Sequence, residues 1–408
     1  MAPLAGPRRW AYRAFMALPG PVRGAGETVL RLRAESAVRS QPNFPGAGTR
    51  LLIGPANTAG QGWAWTRAAE RHLPGVCGLS LSVADASGSP GLAFPHDVWL
   101  TRSMQLRALA AHRQRVLGAT HVISESARPV LGDFFTGSLL ADLPTLRRAG
   151  IAPAVLLHGS EVRDPDGHAG LYPHSPFAGE SDDYQRRLQS LVTRTRATLD
   201  AFDGAVLVST PDLLDFVPGA DWLPLVVDVD AFATDAPVLE RDRPVVLHAP
   251  SNPRLKGTAA IEEALTGLDA RGVLTYRRLQ GLPHDQMAVA IAESDVVVDQ
   301  VVLGNPGVLL AESLAAGRVV VAHLIEQVRD RMALGDPDRQ PAPVVEADPT
   351  TIGQVIERVV GDRAAYREVA AQGPAWARRN HDGRRAAQVL AGFLGHWRET
   401  SSGGSAPP

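Results

Sequence analysis

His248-Ala-Pro-Ser-Asn-Pro-Arg-Leu-Lys-Gly257 decides how this chain is read. An apolar run over 244–247 leads into it, its Pro, Ser, Asn and Gly residues make a turn, and a helical pattern over 258–268 follows. Where a strand passes through a turn into a helix, backbone N–H groups are left unpaired, and α/β proteins hold phosphate there. Lys256 is the only lysine in a chain with 41 lysine and arginine residues. Its ammonium is a compact point charge on a flexible stem, where arginine would offer a broad planar fork. With Arg254 beside it, the turn framed by Asn252 and Gly257 is expected to be a diphosphate site.

About fifty residues on, Asp295-Val-Val-Val-Asp299 reads as a short buried strand and Gly304-Asn-Pro-Gly307 as a tight loop. A helix opens at Val308 and carries Glu312, Gly317 ends it, and Arg318-Val-Val-Val-Ala322 is the next apolar strand. This segment resembles the donor half of retaining nucleotide-sugar glycosyltransferases of the family-four type, which have the GT-B fold of two Rossmann-like domains. In that family two glutamates lie about eight positions apart around a Gly-rich turn, and the second accepts hydrogen bonds from the ribose hydroxyls of the donor. Glu312 matches the second glutamate and Gly307 the glycine of the turn. The first falls at Gly304, a departure at the contact to the donor sugar. The resemblance implies donor contacts at Asn252, Gly257, Gly307, Val308 and Glu312, and places His284 close to the nucleotide base. It covers the chain well from 228 onward and the first half more loosely.

A chain of 408 residues fits two domains. With 45% apolar and 21% charged residues it has the composition of a globular protein with sizeable cores. A formal charge of -2 argues against the broad basic field that nucleic-acid binding needs. The single cysteine, Cys77, excludes an internal disulfide and multi-cysteine metal sites, which fits a cytoplasmic protein. No apolar run reaches 18 residues, so neither a membrane span nor secretion is expected.

In chain order, 1–49 reads as a basic N-terminal extension and linker. Seven arginines up to position 39 stand against Glu27 and Glu35, interleaved with Trp10, Tyr12, Phe15 and Met16, a pattern that fits peripheral contact with an anionic membrane at its inner face or a loose extension. Residues 50–230 are expected to form a Rossmann-like acceptor domain. Its first strand, Arg50-Leu-Leu-Ile-Gly54, precedes the glycine loop Asn57-Thr-Ala-Gly-Gln-Gly62, whose Gly60 and Gly62 suit close approach of a bound molecule. Strands over 77–83, 120–124, 154–158 and 205–209 alternate with helices over 106–117, 139–149 and 182–202, while 90–99 reads as an inserted loop. His158-Gly-Ser-Glu-Val-Arg-Asp164 puts four titratable groups, His158, Glu161, Arg163 and Asp164, at the end of one strand, where a doubly wound sheet places its site. Arg163 and Asp164 have a second reading as a pair that fixes the loop. In the family a histidine at such a strand end faces the donor sugar, and His158 matches it by position.

The donor domain is expected over 231–380, with a helix from 282 to 292 capped by His284 or Asp285, a terminal helix over 381–397 packing back on the first domain, and a disordered tail over 398–408. The family resemblance then implies transfer of a sugar from a nucleotide-diphosphate donor to a glycan, lipid-linked or small-molecule acceptor. His158, Arg254 and Lys256 would act at the reacting centre, and closure about 228–232 would exclude water. Retention of configuration is implied, with no metal and no cofactor besides the donor. The Arg-, Ala- and Gly-rich composition fits a high-GC bacterial genome, and hence envelope or exopolysaccharide assembly. Two other readings stay open: a nucleotide-binding scaffold without turnover, and a sugar-nucleotide epimerase.

Overall fold

The computed structural model describes residues 41–84, 94–101, 106–132 and 137–402, with scattered positions between 14 and 29. Two parallel sheets organise them. The first is seven-stranded in the order β3-β2-β1-β4-β5-β6-β7, built from β1 (Thr49–Gly54), β2 (Val76–Ala84), β3 (Val98–Thr101), β4 (His121–Glu125), β5 (Ala152–Leu157), β6 (Ala205–Val208) and β7 (Asp221–Trp222). The second is five-stranded in the order β12-β11-β10-β8-β9, from β8 (Val245–His248), β9 (Thr275–Arg278), β10 (Val296–Val298), β11 (Val319–Ala322) and β12 (Val344–Glu346). Order reverses beside β1 in one sheet and beside β8 in the other, which is where a doubly wound sheet opens a crevice at its carboxyl edge.

The strand sequences explain the sheets. Leu51, Leu52 and Ile53 of β1, Val296, Val297 and Val298 of β10, and Val319, Val320 and Val321 of β11 are fully buried. Continuous β-branched and leucine runs of this kind fit strands covered on both faces. The register Val296↔Val319, Val297↔Val320, Val298↔Val321 stacks valine on valine across the ladder. One covering helix, Ile352–Gly361, buries Ile352, Val355, Ile356 and Val359, the spacing of a single helical face. These join Ile261, Leu265 and Leu268 of the helix Thr258–Ala270 in one core cluster.

Two compact units emerge. One contains the described residues up to His158, then Thr193–Leu207 and the chain from Ala387; the other contains Gly159–Val192 and Val208–Ala386. The cuts therefore fall after His158, within the helix Asp183–Asp200, within β6 and after Ala386, while a single boundary near 230 is expected from the sequence. Segment 159–192 clusters with the second unit because His168 bonds the Leu303 carbonyl (3.2 Å) and Asn252 bonds Tyr184 (3.3 Å).

Several local expectations need correction. The segment read as an inserted loop over 90–99 ends in β3, whose Val98 pairs with Leu81. Residues 41–48, read as a linker, are tied down: Gln41 donates to the Trp99 carbonyl (2.9 Å) and Arg115 to the Pro42 carbonyl (2.6 Å). The helix expected from 282 is a 3-10 turn, His284–Gln286, followed by Met287–Ala292, and neither His284 nor Asp285 caps it. The terminal helix runs Arg384–Ser402, past the end expected at 397, and Phe393 meets His121 edge-on at 5.2 Å. Most of the basic N-terminal extension and residues 403–408 lie outside the described residues.

Candidate functional site

Within the second unit, the turn after β8 is a capped helical turn, Pro253–Lys256. The Asn252 side chain accepts from the Leu255 N–H (3.4 Å), so its oxygen serves the backbone. Gly257 ends this turn and opens the helix Thr258–Ala270 with φ +71°, and a Cβ there would come within 2.7 Å of Val301 and 2.8 Å of Val302. Only glycine satisfies both the left-handed backbone and the close approach. Behind the turn His248 is buried, with its Nδ1 against the Val298 carbonyl and its Nε2 against the Thr258 hydroxyl, each at 2.9 Å. Burial lowers its pKa to about 4, so it stands neutral, donating from Nδ1 and accepting at Nε2, as a brace between β8, β10 and the helix.

Lys256 points its ammonium at Asp299, 2.6 Å from Oδ1. The Asp299 side chain is fully buried and its Oδ2 has no hydrogen-bond partner among the described residues. Gly307 closes over the pair: a Cβ on it would lie 3.1 Å from both the Lys256 Nζ and the Asp299 Oδ2. Gly307 is the residue before the helix Val308–Ala315 and its side is unprotected by any side-chain cap, so the first N–H groups of that helix stand beside the lysine. The carboxylate of Glu312, buried on the same helix, receives His284 Nε2 at 2.7 Å. Burial raises the Glu312 pKa, against the lowering influence of His284, and Asp299 adds to the rise. The His284 pKa is raised chiefly by its hydrogen bond to Glu312. Lys256, Asp299, Gly307, Val308, Glu312 and His284 thus form one electrostatic cluster at the carboxyl edge of β8 and β10.

Arg254 is held differently. Its guanidinium pairs with Asp182, lies 5.1 Å above the Tyr184 ring and reaches the Pro176 carbonyl at 3.3 Å. At Gly304 the backbone is left-handed, φ +76°, and a Cβ would fall 2.2 Å from Cγ1 of Ile325. A glutamate at this position therefore has no room, because Ile325 fills the space. The fully buried Gln300 holds the loop in this form, accepting from Leu303 N (2.8 Å) and Gly304 N (3.1 Å) and donating to the Asn305 carbonyl (3.2 Å). Segment 159–177 is braced as well. Arg163 is buried and bonds Asp212 Oδ2 through Nε at 2.9 Å, while Asp164 caps the helix Pro165–Leu171 by accepting from Gly167 N at 2.9 Å. The two sequence neighbours do not pair with each other, as one reading of the sequence expects, since each has a partner of its own. Glu161 is buried and accepts from Gly159 N at 3.1 Å.

The first unit contributes a second cluster. His158 follows β5, stacks on Trp65 with ring centroids 5.9 Å apart, and meets Glu125 Oε1 at 2.9 Å. The other Glu125 oxygen accepts from the backbone of Ala56 (2.7 Å) and Asn57 (2.6 Å), fixing the start of the glycine loop. A Cβ on Gly60 would be 2.9 Å from Phe94, and one on Gly62 would be 3.3 Å from the Asn57 side chain. Glu125 and Asp299 are the site residues that sequence reasoning misses. The signal for both was the same, an acidic residue closing a run of strand apolars, where a carboxylate is buried and must be partnered.

No known family profile matches the sequence, and no curated protein matches it. Solved structures do. Sucrose-phosphate synthase from Thermosynechococcus elongatus superposes with a TM-score of 0.58 at 13% identity, covering 87% of this chain and 100% of that one. An alpha-glucosyltransferase in complex with UDP-glucose and DNA containing an abasic site gives 0.57 at 11%, covering 85% and 99%. WaaG, a glycosyltransferase involved in lipopolysaccharide biosynthesis, gives 0.52 at 11%, covering 85% and 100%. The chain has the fold of these glycosyltransferases, GT-B, with its two parallel-sheet α/β domains.

Proposed function

We propose that this chain is a glycosyltransferase that moves a sugar from a nucleotide-diphosphate donor to an acceptor hydroxyl. The observation that carries the reading is the cluster at the carboxyl edge of β8 and β10, where Lys256, the open end of the helix Val308–Ala315 and the buried Glu312 stand together. A nucleoside diphosphate needs an anion site beside a diol site, and this cluster supplies both chemistries. Lys256 and the helix N–H groups would take the charge that grows on the diphosphate as the glycosidic C–O bond breaks. Glu312 would accept from the ribose hydroxyls. Retention of configuration, inferred from the family resemblance, gives a balanced step in which the electron pair of the breaking bond stays on the departing phosphate. The acceptor oxygen bonds the sugar carbon, and its proton passes to that phosphate. No metal, cofactor or enzymic nucleophile enters this step. The pair His158–Glu125, with the glycine loop at Gly60 and Gly62, is the proposed acceptor-side site, for a glycan, lipid-linked or small-molecule hydroxyl in bacterial envelope or exopolysaccharide assembly. Peripheral contact of the basic N-terminal segment with an anionic membrane belongs to the same proposal. Among the described residues no helix is long and apolar enough to cross one.

Calorimetric titration with UDP, GDP, ADP and their sugar conjugates tests the reading. One nucleotide binds selectively to the wild type and not to Lys256→Ala or Glu312→Ala; failure of every nucleotide to bind at millimolar concentration refutes it. A second reading, a nucleotide-binding protein without turnover, is favoured by one observation, the Gly304 backbone packed against Ile325. Nucleotide binding with no sugar transfer to any of an acceptor panel decides for it.

A further inference from the structure

We propose that His284 is a positioning residue for nucleotide recognition: by donating from Nε2 to Glu312 Oε1 it fixes the buried carboxylate in the plane that takes a ribose diol. The inference rests on the donor-site reading above and names a residue that acts through Glu312 instead of on the ligand. His284 and Glu312 are 28 positions apart and belong to different elements, yet their side chains meet at 2.7 Å. No other hydrogen bond reaches the Glu312 carboxylate among the described residues. The terminal torsion of a glutamate is broad and roughly two-fold, so packing alone leaves the carboxylate plane loosely set. A short charge-assisted bond to one oxygen sets it, and directs the lone pairs of the other.

The imidazole is itself held. Its ring lies 6.0 Å from that of Phe232, which is buried and ends the helix Val229–Phe232, and Asp228 caps that helix by accepting from Ala231 N at 3.1 Å. The 3-10 turn carrying His284 has no side-chain cap, and the bond to Glu312 ties this turn to the helix Val308–Ala315. Charged groups around the pair are Asp285 on the same turn and Asp299 with its partner Lys256 across it. Burial and Asp299 raise the Glu312 pKa, and His284 opposes that rise. The arrangement therefore delivers an oriented carboxylate oxygen to a diol, with His284 opposing the rise in pKa that burial imposes on Glu312.

The test compares each ribonucleoside diphosphate with its 2′-deoxy form, for example UDP with dUDP, across pH 5–9, in wild type, His284→Ala and His284→Gln. A hydrogen bond to a charged group corresponds to roughly tenfold or more in affinity, so wild type should prefer the ribonucleotide by about that factor. His284→Ala should lose this preference while retaining most of its affinity for the deoxy form, and His284→Gln, which still donates an N–H, should keep much of it. In His284→Gln the acid limb of binding should also move to higher pH, because the imidazole that lowers the Glu312 pKa is gone. A wild type that binds a nucleotide without ribose preference, a preference unchanged in His284→Ala, or an equal loss for both ligands overturns the proposal. A wild type that binds no nucleotide overturns the donor-site reading itself.

Discussion

Lys256→Met should destabilise the second unit far more than an exposed lysine would, and Asp299→Asn should undo the damage. The substitution keeps a long apolar stem and removes the ammonium, leaving the fully buried Asp299 carboxylate, previously 2.6 Å from Nζ, with no cation. Removing one partner of a buried ion pair costs about 3–5 kcal/mol, because the remaining charge is uncompensated. The Lys256 side chain keeps 17% of its exposure. Water can therefore reach the site in part, and the lower figure of about 2–3 kcal/mol is expected. For a unit of 150–250 residues this corresponds to a fall in Tm of about 4–12 °C. The double variant Lys256→Met with Asp299→Asn places a neutral amide in the same volume and should recover at least half of the loss, giving a clear coupling term in a double-mutant cycle. It should not recover nucleotide binding, for which the proposed function requires the ammonium. Thermal unfolding of the four proteins, with calorimetric titration of each, reads both quantities. A loss below about 0.5 kcal/mol, the range of ordinary surface substitutions, or a double variant no more stable than Lys256→Met, would refute the argument.

Other outcomes follow from the same geometry. Gly307→Ala puts a methyl 3.1 Å from both Nζ and Oδ2, so nucleotide affinity in titration should fall while the unfolding midpoint moves little, since Gly307 has an extended backbone, φ -104°, that alanine adopts freely. Gly304→Ala should cost about 1–2 kcal/mol for the left-handed backbone and more for the contact with Ile325. In an Ile325→Ala background the added cost should shrink to the backbone part, as denaturant titration would show. Stability should also fall in acid. Burial lowers the pKa of His112, His168, His248 and His381 to about 4, against an ordinary value near 6.5. The unfolded chain binds more protons between these values, so stability is full above about pH 6.5 and is lost as pH falls toward 4. His168→Gln, which can still donate to the Leu303 carbonyl, should flatten that slope in pH-dependent unfolding.

Much of the second half was legible because its signals are local. Repeated valine runs specify buried parallel strands, Pro and Gly punctuate the turns, and Gly257 and Gly307 mark places where the backbone must come close to something else. The helix boundaries at 106–117 follow from apolar spacing in the same way, and the observed element, Leu106–Leu117, agrees. The first half was harder. β3 was hidden because a four-residue edge strand after a polar loop has too little sequence to show a period. The division of the chain was hidden because segment 159–192 carries strong helix signals of its own, while the unit it joins is set by the partners it finds at Asn252 and Leu303.

The sequence by itself determined the α/β architecture, the turn at 252–257 and the singular lysine within it, since propensity, periodicity and composition act over a few residues. Only the tertiary structure decided that Lys256 faces Asp299, that Glu312 is held by His284, that Arg254 sits against Asp182 and Tyr184, and that Ile325 fills the space beside Gly304. Each of these joins residues between 21 and 72 positions apart, as the numbering shows. Burial decides them, because a charge removed from water takes whatever opposite charge the packing of distant elements brings within reach.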